Sequence, residues 1–277
     1  MGNKKRRNQL IGDIVGVTLT VIIFLIPFYF MFVQSIKSKK EANLLSLAWP
    51  KEIHFENYLA VIKHGNYQLL TAFKNSAILT LFTVLGLLVT GAMAGYVIQR
   101  RKGKLMTAVQ ATIMIGLMIP ASILPTIHML QRMHIYKTMF SMVMIEIALQ
   151  TPFTIMLYRG FMASIPVELE EAAAIDGCNR WQIFTKIIFP LLKPIQATII
   201  ILTGVQTFND FSNPLYFLPG AANTTVQLTL YNYKGQLGNS YNLLFADIII
   251  ITIPMLILFL FFNKRIVAGM VAGAVKG

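Results

Sequence analysis

Six apolar segments dominate the sequence, and most of them are long enough to cross a lipid bilayer. They cover residues 10–33, 72–98, 105–127, 139–158, 195–208 and 243–262. A helix needs about 20 apolar residues to span a hydrocarbon core of about 30 Å. The fifth segment is the shortest, because Asn209 and Asp210 interrupt it. Since an isolated apolar segment in lipid satisfies its backbone polar groups only as a helix, we predict an all-α, polytopic membrane bundle with six transmembrane helices.

The charge content agrees with a membrane protein. Charged residues make up 13% of the chain and the mean hydropathy is +0.64, whereas soluble domains carry about 25% charged residues. The formal net charge of +13 comes from basic residues that flank the apolar segments, so membrane lipids explain it better than nucleic acid does. The single cysteine, Cys178, excludes an intramolecular disulfide and a cysteine-based zinc cluster.

The first apolar segment follows the basic stretch MGNKKRRNQL. It is too long for a signal peptide and no small-residue cleavage site ends it, so we predict a retained signal-anchor helix. The sequence contains no evident internal repeat or flexible linker. We therefore expect one transmembrane domain over residues 1–277, with a core at about 71–262.

The second apolar segment has glycines where the other segments have prolines. Gly91 and Gly95 form a GxxxG pair, a spacing that allows a second helix to approach closely. Ordinary close packing is the simpler interpretation, and a subunit interface is the alternative.

The distribution of lysine and arginine sets the predicted orientation. Six spans place both termini on one side, and that side then carries 15 of the 24 basic residues, against 9 on the other. The positive-inside rule puts both termini in the cytoplasm, although the stretch KSKK at 37–40 opposes it. We predict a multi-pass protein of the cytoplasmic membrane with outer loops at 34–71, 128–138 and 213–242, and inner loops at 99–104 and about 160–194.

The long inner loop has the local signals of a helix, a turn and a second helix. Pro166 suits a first helical turn, and Glu168, Glu170 and Glu171 suit the positive end of the helix dipole. Three alanines continue the helix, and Gly177 permits the left-handed conformation that ends it.

The second helix of the loop is predicted to be amphipathic. Asn179 is a good N-cap, and Pro190 is expected to end the helix. The apolar stripe consists of Trp181, Phe184, Ile187 and Ile188. A helix lying on the membrane surface is one interpretation. The three glutamates of the first helix would then face anionic headgroups, so a protein partner is the better explanation.

The same loop resembles a known family. The sequence EAAAIDG at 171–177, followed by IIFP at 187–190, resembles the EAA loop of ABC-importer permeases. Phe189 replaces the usual leucine, and Cys178 stands where alanine is common. The segments GAMAGYVIQR at 91–100, QTFNDFSNPLYF at 206–217 and VAGMVAGAVKG at 267–277 resemble the maltose-transporter-type sugar permeases. The resemblance extends from the second apolar segment to the last residue.

The resemblance implies a transport mechanism rather than an enzyme activity. In that family the EAA loop is a cytoplasmic coupling helix seated in an ATPase subunit. The residues implied in coupling are Glu171, Ala172, Ala173, Asp176, Gly177 and Pro190. The chain has no GxxxxGK[ST] motif, so a partner must supply ATP hydrolysis. The implied partners are a homologous second permease, two cytoplasmic ATP-binding subunits and an extracytoplasmic sugar-binding protein, with no cofactor.

Polar residues near the fifth and fourth segments are candidates for a substrate path. Asn209, Asp210 and Asn213 follow the fifth segment, and Glu146 and Gln150 lie one helical turn apart in the fourth. Ionisable residues at membrane depth are functional candidates. Helix termination at the interface, or a bond between helices, is the competing interpretation for both groups.

Two other classes of function remain as alternatives. A secondary transporter of a small polar solute would need no ATPase, although such proteins usually carry more intramembrane ionisable residues. An intramembrane enzyme is disfavoured because the sequence has no His-Glu zinc motif and no serine nucleophile motif. The four histidines lack acidic or cysteine partners at ligand spacing, so no metal site is expected.

Overall fold

The computed structural model describes residues 12–234 and 239–274, with side chains described up to residue 261. The basic N-terminal stretch, the first two residues of the predicted first span and the side chains of the 267–277 motif therefore lie outside the described residues. Within the described part the chain forms helices and no strands, which confirms the all-α prediction. The α-helices longer than three residues, with π-helical turns counted as part of them, are α1 Gly12–Ser35, α2 Lys39–Ala42, α3 Glu56–Arg100, α4 Lys104–Gly116, α5 Ile123–Arg132, α6 Met139–Met162, α7 Glu168–Ile175, α8 Arg180–Leu191, α9 Lys193–Phe208, α10 Ser212–Phe217, α11 Val226–Thr229 and α12 Tyr241–Ala274.

Several of these helices are long and apolar enough to cross a membrane. Among the described residues four qualify singly, namely α1, α3, α6 and α12. Helices α8 and α9 meet at a bend of 71° and qualify only as a pair, which raises the number to five. Five of the six predicted apolar segments thus lie in helices of this kind.

The predicted segment at 105–127 is divided into two helices. Helix α4 ends at Gly116, α5 begins at Ile123, and the residues between them are not helical. Pro120 explains the break, because proline has no N–H to donate and its ring disfavours the helical conformation of the preceding residue. Apolar composition therefore indicated membrane depth here, but not one continuous helix.

Helix α3 begins earlier than the sequence indicated and contains a sharp break. It starts at Glu56, inside the region predicted as an outer loop, and leaves helical geometry at His64–Tyr67. Gly65, Asn66 and Tyr67 have φ values of 57°, 55° and 63°. Glycine adopts this left-handed region without steric cost. Gly65 therefore adds no strain to the break, whereas Asn66 and Tyr67 do.

The chain divides into two compact units. The first consists of Met1–Leu70 and Thr229–Ile253. In this unit Lys37 is 2% exposed, and its Nζ donates to the carbonyl and the hydroxyl of Ser46 at 2.7 and 3.2 Å. Burial lowers the pKa of Lys37, and the nearby Glu41 carboxylate opposes that shift. The lysine is thus engaged inside the segment that follows α1.

The second unit consists of Thr71–Leu228 and Pro254–Gly277. Its main buried cluster joins the α7–α8 segment to three longer helices. The members are Ala92 of α3, Tyr158 and Met162 of α6, Ile165, Ala173 of α7, Ile183, Phe184 and Ile188 of α8, Leu192, and Ile195 and Ile199 of α9. Side chains in such a cluster are close-packed, so α7 and α8 share one core with α3, α6 and α9.

Helices α3 and α6 approach each other closely along the glycines of α3. A Cβ atom at Gly91 would lie 2.5 Å from Thr154 Cγ2, and one at Gly95 would lie 2.9 Å from Tyr158 Cβ. Both distances are below ordinary van der Waals contact. The GxxxG pair therefore serves helix packing within the chain, which was the simpler of its two interpretations.

We expect Gly95→Ala to destabilise the second unit. The added methyl group would press on Tyr158 Cβ, an atom close to the backbone that cannot swing away, and such overpacking costs about 1–3 kcal/mol. The matched control is Gly160→Ala in α6, where a Cβ would meet nothing within 4 Å. Thermal unfolding in detergent should show a lower melting temperature for Gly95→Ala alone. Equal melting temperatures for the two variants would contradict the packing described.

Candidate functional site

The segment between α6 and α9 forms the two short helices that its sequence predicts. Helix α7 carries Glu168, Glu170 and Glu171 in its first turn. The turn that follows it is closed by two backbone bonds, from Gly177 N to Ala174 O at 3.1 Å and from Cys178 N to Ala173 O at 3.0 Å. Gly177 has a φ of +83°, the left-handed geometry that ends helices and favours glycine.

Helix α8 begins at a complete capping box. Asn179 Oδ1 accepts from Gln182 N at 2.9 Å, and Gln182 Oε1 accepts from Asn179 N at 2.8 Å. The reciprocal bonds satisfy two N–H groups that a helix start leaves unpaired. They fix the direction in which α8 leaves the turn.

The sequence predicted that α8 ends at Pro190, but the helix runs to Leu191. Residues Ile183–Ile188 form a π-helical turn, and Phe189 N donates to Phe184 O across it. The wider turn changes the hydrogen-bond spacing just before a residue that has no N–H of its own. The helix therefore passes through Pro190, and the bend follows at Leu192.

The predicted coupling residues fall on two sides of this element. Ala173 is buried in the shared core, whereas the other five are exposed: Glu171, Ala172, Asp176, Gly177 and Pro190. Trp181, predicted on the buried stripe, is 61% exposed, while Phe184 and Ile188 are buried. Ile175 is 87% exposed. The turn thus presents two large apolar side chains beside a carboxylate-bearing helix.

An ion pair fastens α7 to the end of α3. Arg100 Nε donates to Glu170 Oε1 at 2.6 Å, and the Tyr96 hydroxyl donates to Glu170 Oε2 at 2.7 Å. Arg100 also donates to the Ile165 carbonyl at 2.9 Å. The Arg100 and Glu170 side chains are 16% and 13% exposed, so water weakens the pair little. Glu170 is therefore a brace, while Glu168 and Glu171 on the same helix face solvent.

A cleft of about 550 Å³ lies beside this brace. It is lined by Gln99, Arg100, Lys102, Val167, Glu170, Glu171 and Ala174. Glu171 thus borders a concave surface that Arg100 and Lys102 also line. A surface with relief of this kind can receive side chains of another protein.

The second group of predicted residues meets where the backbone leaves α9. Helix α9 ends at Phe208 and α10 begins at Ser212, so the residues between them are irregular. A cavity of about 270 Å³ lies at this break. Its lining residues are Glu146, Leu149, Gln150, Gln206, Asp210 and Asn213. Irregular backbone at membrane depth is tolerated where it is buried in protein or lines a cavity.

The polar side chains of this cavity are connected by hydrogen bonds. Gln150 Nε2 donates to Glu146 Oε2 and to Thr207 Oγ1, both at 2.8 Å. Asn213 Nδ2 donates to Asp210 Oδ2 at 2.6 Å and to Glu146 Oε1 at 3.2 Å. One amide therefore bridges the two carboxyl groups, and the network joins α6 to the break.

The structure groups four of the five candidate path residues and separates the fifth. Asp210 is fixed by the backbone N–H groups of Ser212 and Asn213, at 2.9 and 3.3 Å. Asn209 instead accepts from Gln227 Nε2 at 3.0 Å and is exposed. Sequence reasoning did not single out Thr207 or Gln206. Gln206 and Thr207 lie four positions before Asp210 and Phe211. Because α9 ends at Phe208, between the members of each pair, this spacing did not indicate that they share a helix face.

Solved structures share this fold. A chain of the bacterial ABC transporter involved in the import of the acidic polysaccharide alginate superposes with a TM-score of 0.79 at 23% identity, covering 94% of this chain and 97% of that one. A chain of the MetNI methionine ABC transporter in an inward-facing conformation gives 0.55 at 18% identity, covering 73% and 96%. At these identities the likeness establishes the fold alone.

Several named proteins are more similar to this chain in sequence than these solved structures are. The melibiose/raffinose/stachyose import permease protein MelC of Bacillus subtilis is 36% identical over 257 residues, 91% of each chain. The multiple sugar-binding transport system permease protein MsmG of Streptococcus mutans is 33% identical over 281 residues, 99% of each chain. The model of the family described as "binding-protein-dependent transport system inner membrane component" matches residues 86–271. The chain therefore belongs to this family of inner membrane transport components.

Proposed function

We propose that the chain is the permease subunit of an ABC importer that moves a carbohydrate, in particular an oligosaccharide, across the cytoplasmic membrane, driven by a partner ATPase docked on the α7–α8 segment. The names of MelC, MsmG and the arabinooligosaccharide permease AraQ of Bacillus subtilis, 28% identical over 261 residues, support a saccharide as the substrate. Energy from ATP reaches the membrane helices through α7 and α8.

The names of these relatives point to short saccharides: the substrates in the name of MelC are a disaccharide, a trisaccharide and a tetrasaccharide. An oligosaccharide is therefore the substrate class that we assign to the importer. We place the surface that couples this chain to an ATPase, and the path for the sugar, in the second unit.

The observation that carries the proposal is the shared core of the α7–α8 segment. Ala173, Phe184 and Ile188 are buried against the same cluster as Tyr158 of α6 and Ile199 of α9. A partner that pulls or pushes on α7 therefore acts on the long helices directly, because close-packed interiors transmit displacement. The exposed residues of the α7–α8 segment, which include five of the six proposed coupling residues, form the surface on which the ATPase docks.

Several partners follow from this assignment. The sequence has no GxxxxGK[ST] motif, so the ATP-binding subunits are separate chains, and we propose two of them. A binding protein outside the membrane delivers the sugar, in keeping with the description of the family. The apolar window of α1 is 0% buried within the chain, so membrane lipids or a homologous second permease cover that helix.

The orientation and the number of spans complete the proposal. We place both termini and the α7–α8 segment in the cytoplasm, and we treat residues 1–277 as one permease domain. The divided segment α4–α5 provides the remaining span and gives six in total. The cavity at Glu146, Gln150, Asp210 and Asn213 lies on the sugar path.

Charge reversal at Glu171 should uncouple the importer. In Glu171→Lys the docking surface carries the opposite charge, so sugar uptake should fall at least about tenfold, the change that 1.4 kcal/mol produces, while membrane insertion stays normal. Uptake of labelled raffinose by membrane vesicles and co-purification of the ATPase are measured together. The control is Glu168→Lys, the same reversal on the same helix outside the proposed coupling residues. Normal uptake by Glu171→Lys would disprove the coupling role.

Removal of the brace should loosen α7 without changing its exposed face. Glu170→Ala leaves the Arg100 guanidinium without its carboxylate, and an unpaired buried donor costs about 1–3 kcal/mol or more. The melting temperature should fall, and the Cys178 thiol should react faster with a maleimide. Glu168→Ala removes an exposed carboxylate from the same turn and serves as the control. Identical thiol reactivity in both variants would argue against the brace.

The single thiol tests the orientation. Cys178 follows the Gly177 turn and is partly exposed, so a membrane-impermeant maleimide should modify it in inside-out vesicles and not in intact cells. Docking of the ATPase should slow the reaction. Cys178→Ser provides the background signal. Labelling from outside intact cells would overturn both the orientation and the docking surface.

A further inference from the structure

The cavity at the end of α9 contains an acceptor that no described residue satisfies. Gln150 is 3% exposed and lines the cavity. Its Nε2 donates to Glu146 and Thr207, but its Oε1 has no hydrogen-bond partner among the described residues. Because a buried polar atom without a partner is costly and uncommon, this oxygen points to a donor supplied from outside the chain.

The rest of the cavity also offers acceptors. Glu146 and Asp210 contribute two carboxyl groups, and the Asn213 amide that bridges them leaves its own carbonyl oxygen as a further acceptor. None of the described residues that line the cavity is a lysine or an arginine. The site therefore favours ligands rich in hydrogen-bond donors and repels anions.

We propose that this cavity binds the hydroxyl groups of one uncharged sugar residue and excludes uronic acid residues, an inference that rests on the proposed carbohydrate transport. Neighbouring hydroxyls of a sugar ring are paired donors, and a carboxylate accepts two such bonds at once. Leu149 supplies an apolar wall. The volume of about 270 Å³ lies below that of sites for drug-sized ligands and suits a single ring.

The charge of the cavity separates this chain from a structure that shares its fold. The solved alginate transporter is involved in the import of an acidic polysaccharide. A uronate carboxylate placed between Glu146 and Asp210 would bring a negative charge against two carboxyl groups, with no described cation in the lining. Like charges close together in a water-poor site are strongly unfavourable. The shared fold therefore does not imply a shared substrate.

Protection of an introduced thiol tests occupancy without the selectivity of a binding protein. The probe is Leu149→Cys in a Cys178→Ser background, in membrane vesicles that hold the complete complex, alkylated with uncharged iodoacetamide. Raffinose at millimolar concentration should slow the alkylation, whereas trigalacturonate at the same concentration should not. Met144→Cys on the same helix, which does not line this cavity, is the control and should not be protected by either sugar.

Charge removal then tests the residues themselves. Adding Glu146→Gln and Asp210→Asn to the probe should weaken protection by raffinose at least about tenfold, since charge-assisted hydrogen bonds to the carboxyl groups are replaced by weaker bonds to neutral amides. Equal protection by trigalacturonate, or protection unchanged by the double substitution, would overturn the proposal.

Uptake by the wild-type complex separates this failure from failure of the proposed function. Raffinose and maltotriose uptake is measured in the same vesicles, supplied with the binding protein. Uptake without protection at Leu149→Cys refutes the cavity as a sugar site but leaves carbohydrate transport intact. If no saccharide of a neutral panel is taken up, the proposed function fails, and the inference that rests on it fails as well.

Discussion

The buried cluster that joins α7 and α8 to α3, α6 and α9 is the contact on which the second unit depends. Small residues make it dense: the glycines of α3 admit Thr154 and Tyr158, and Ala173 brings α7 against the same core. Two short helices could not be stable alone, because helices of this length gain little from their own hydrogen bonds. Packing therefore gives the α7–α8 segment its shape and joins it to the helices that it contacts.

The backbone constraint imposed by lipid explains where polar chemistry lies. A continuous helix satisfies its own N–H and C=O groups, so the ends and breaks are the places that need other partners. After α9 the chain supplies them itself, with Asp210 accepting from two backbone N–H groups. The same break brings Asn213 to Glu146 on α6. A membrane helix that stops early thus creates a polar cavity that a longer helix would have excluded.

Local signals predicted the elements whose causes are local. The Gly177 turn and the Asn179 cap were predicted because a left-handed residue and a side-chain acceptor act within a few positions of the chain. The exposure of Trp181 could not be predicted in this way, since the π-helical turn rotates the helix relative to an ideal α-helical wheel. The partners of Glu170 and Gln150 were equally hidden, because Arg100 and Thr207 lie 70 and 57 positions away and only tertiary packing brings them close.

The π-helical turn at Ile183–Ile188 makes the orientation of α8 depend on the number of residues in this segment. Such a turn holds one residue more than an α-helical turn, and one residue corresponds to a rotation of about 100° about the helix axis. The extra residue decides which face α8 presents to the core. A protein that lost one residue here could keep its capping box and its glycine turn and still bury the wrong side chains. The number of residues between the Gly177 turn and Pro190 therefore determines which side chains of α8 face the core. A deletion in this segment would be as disruptive as the substitution of a core residue.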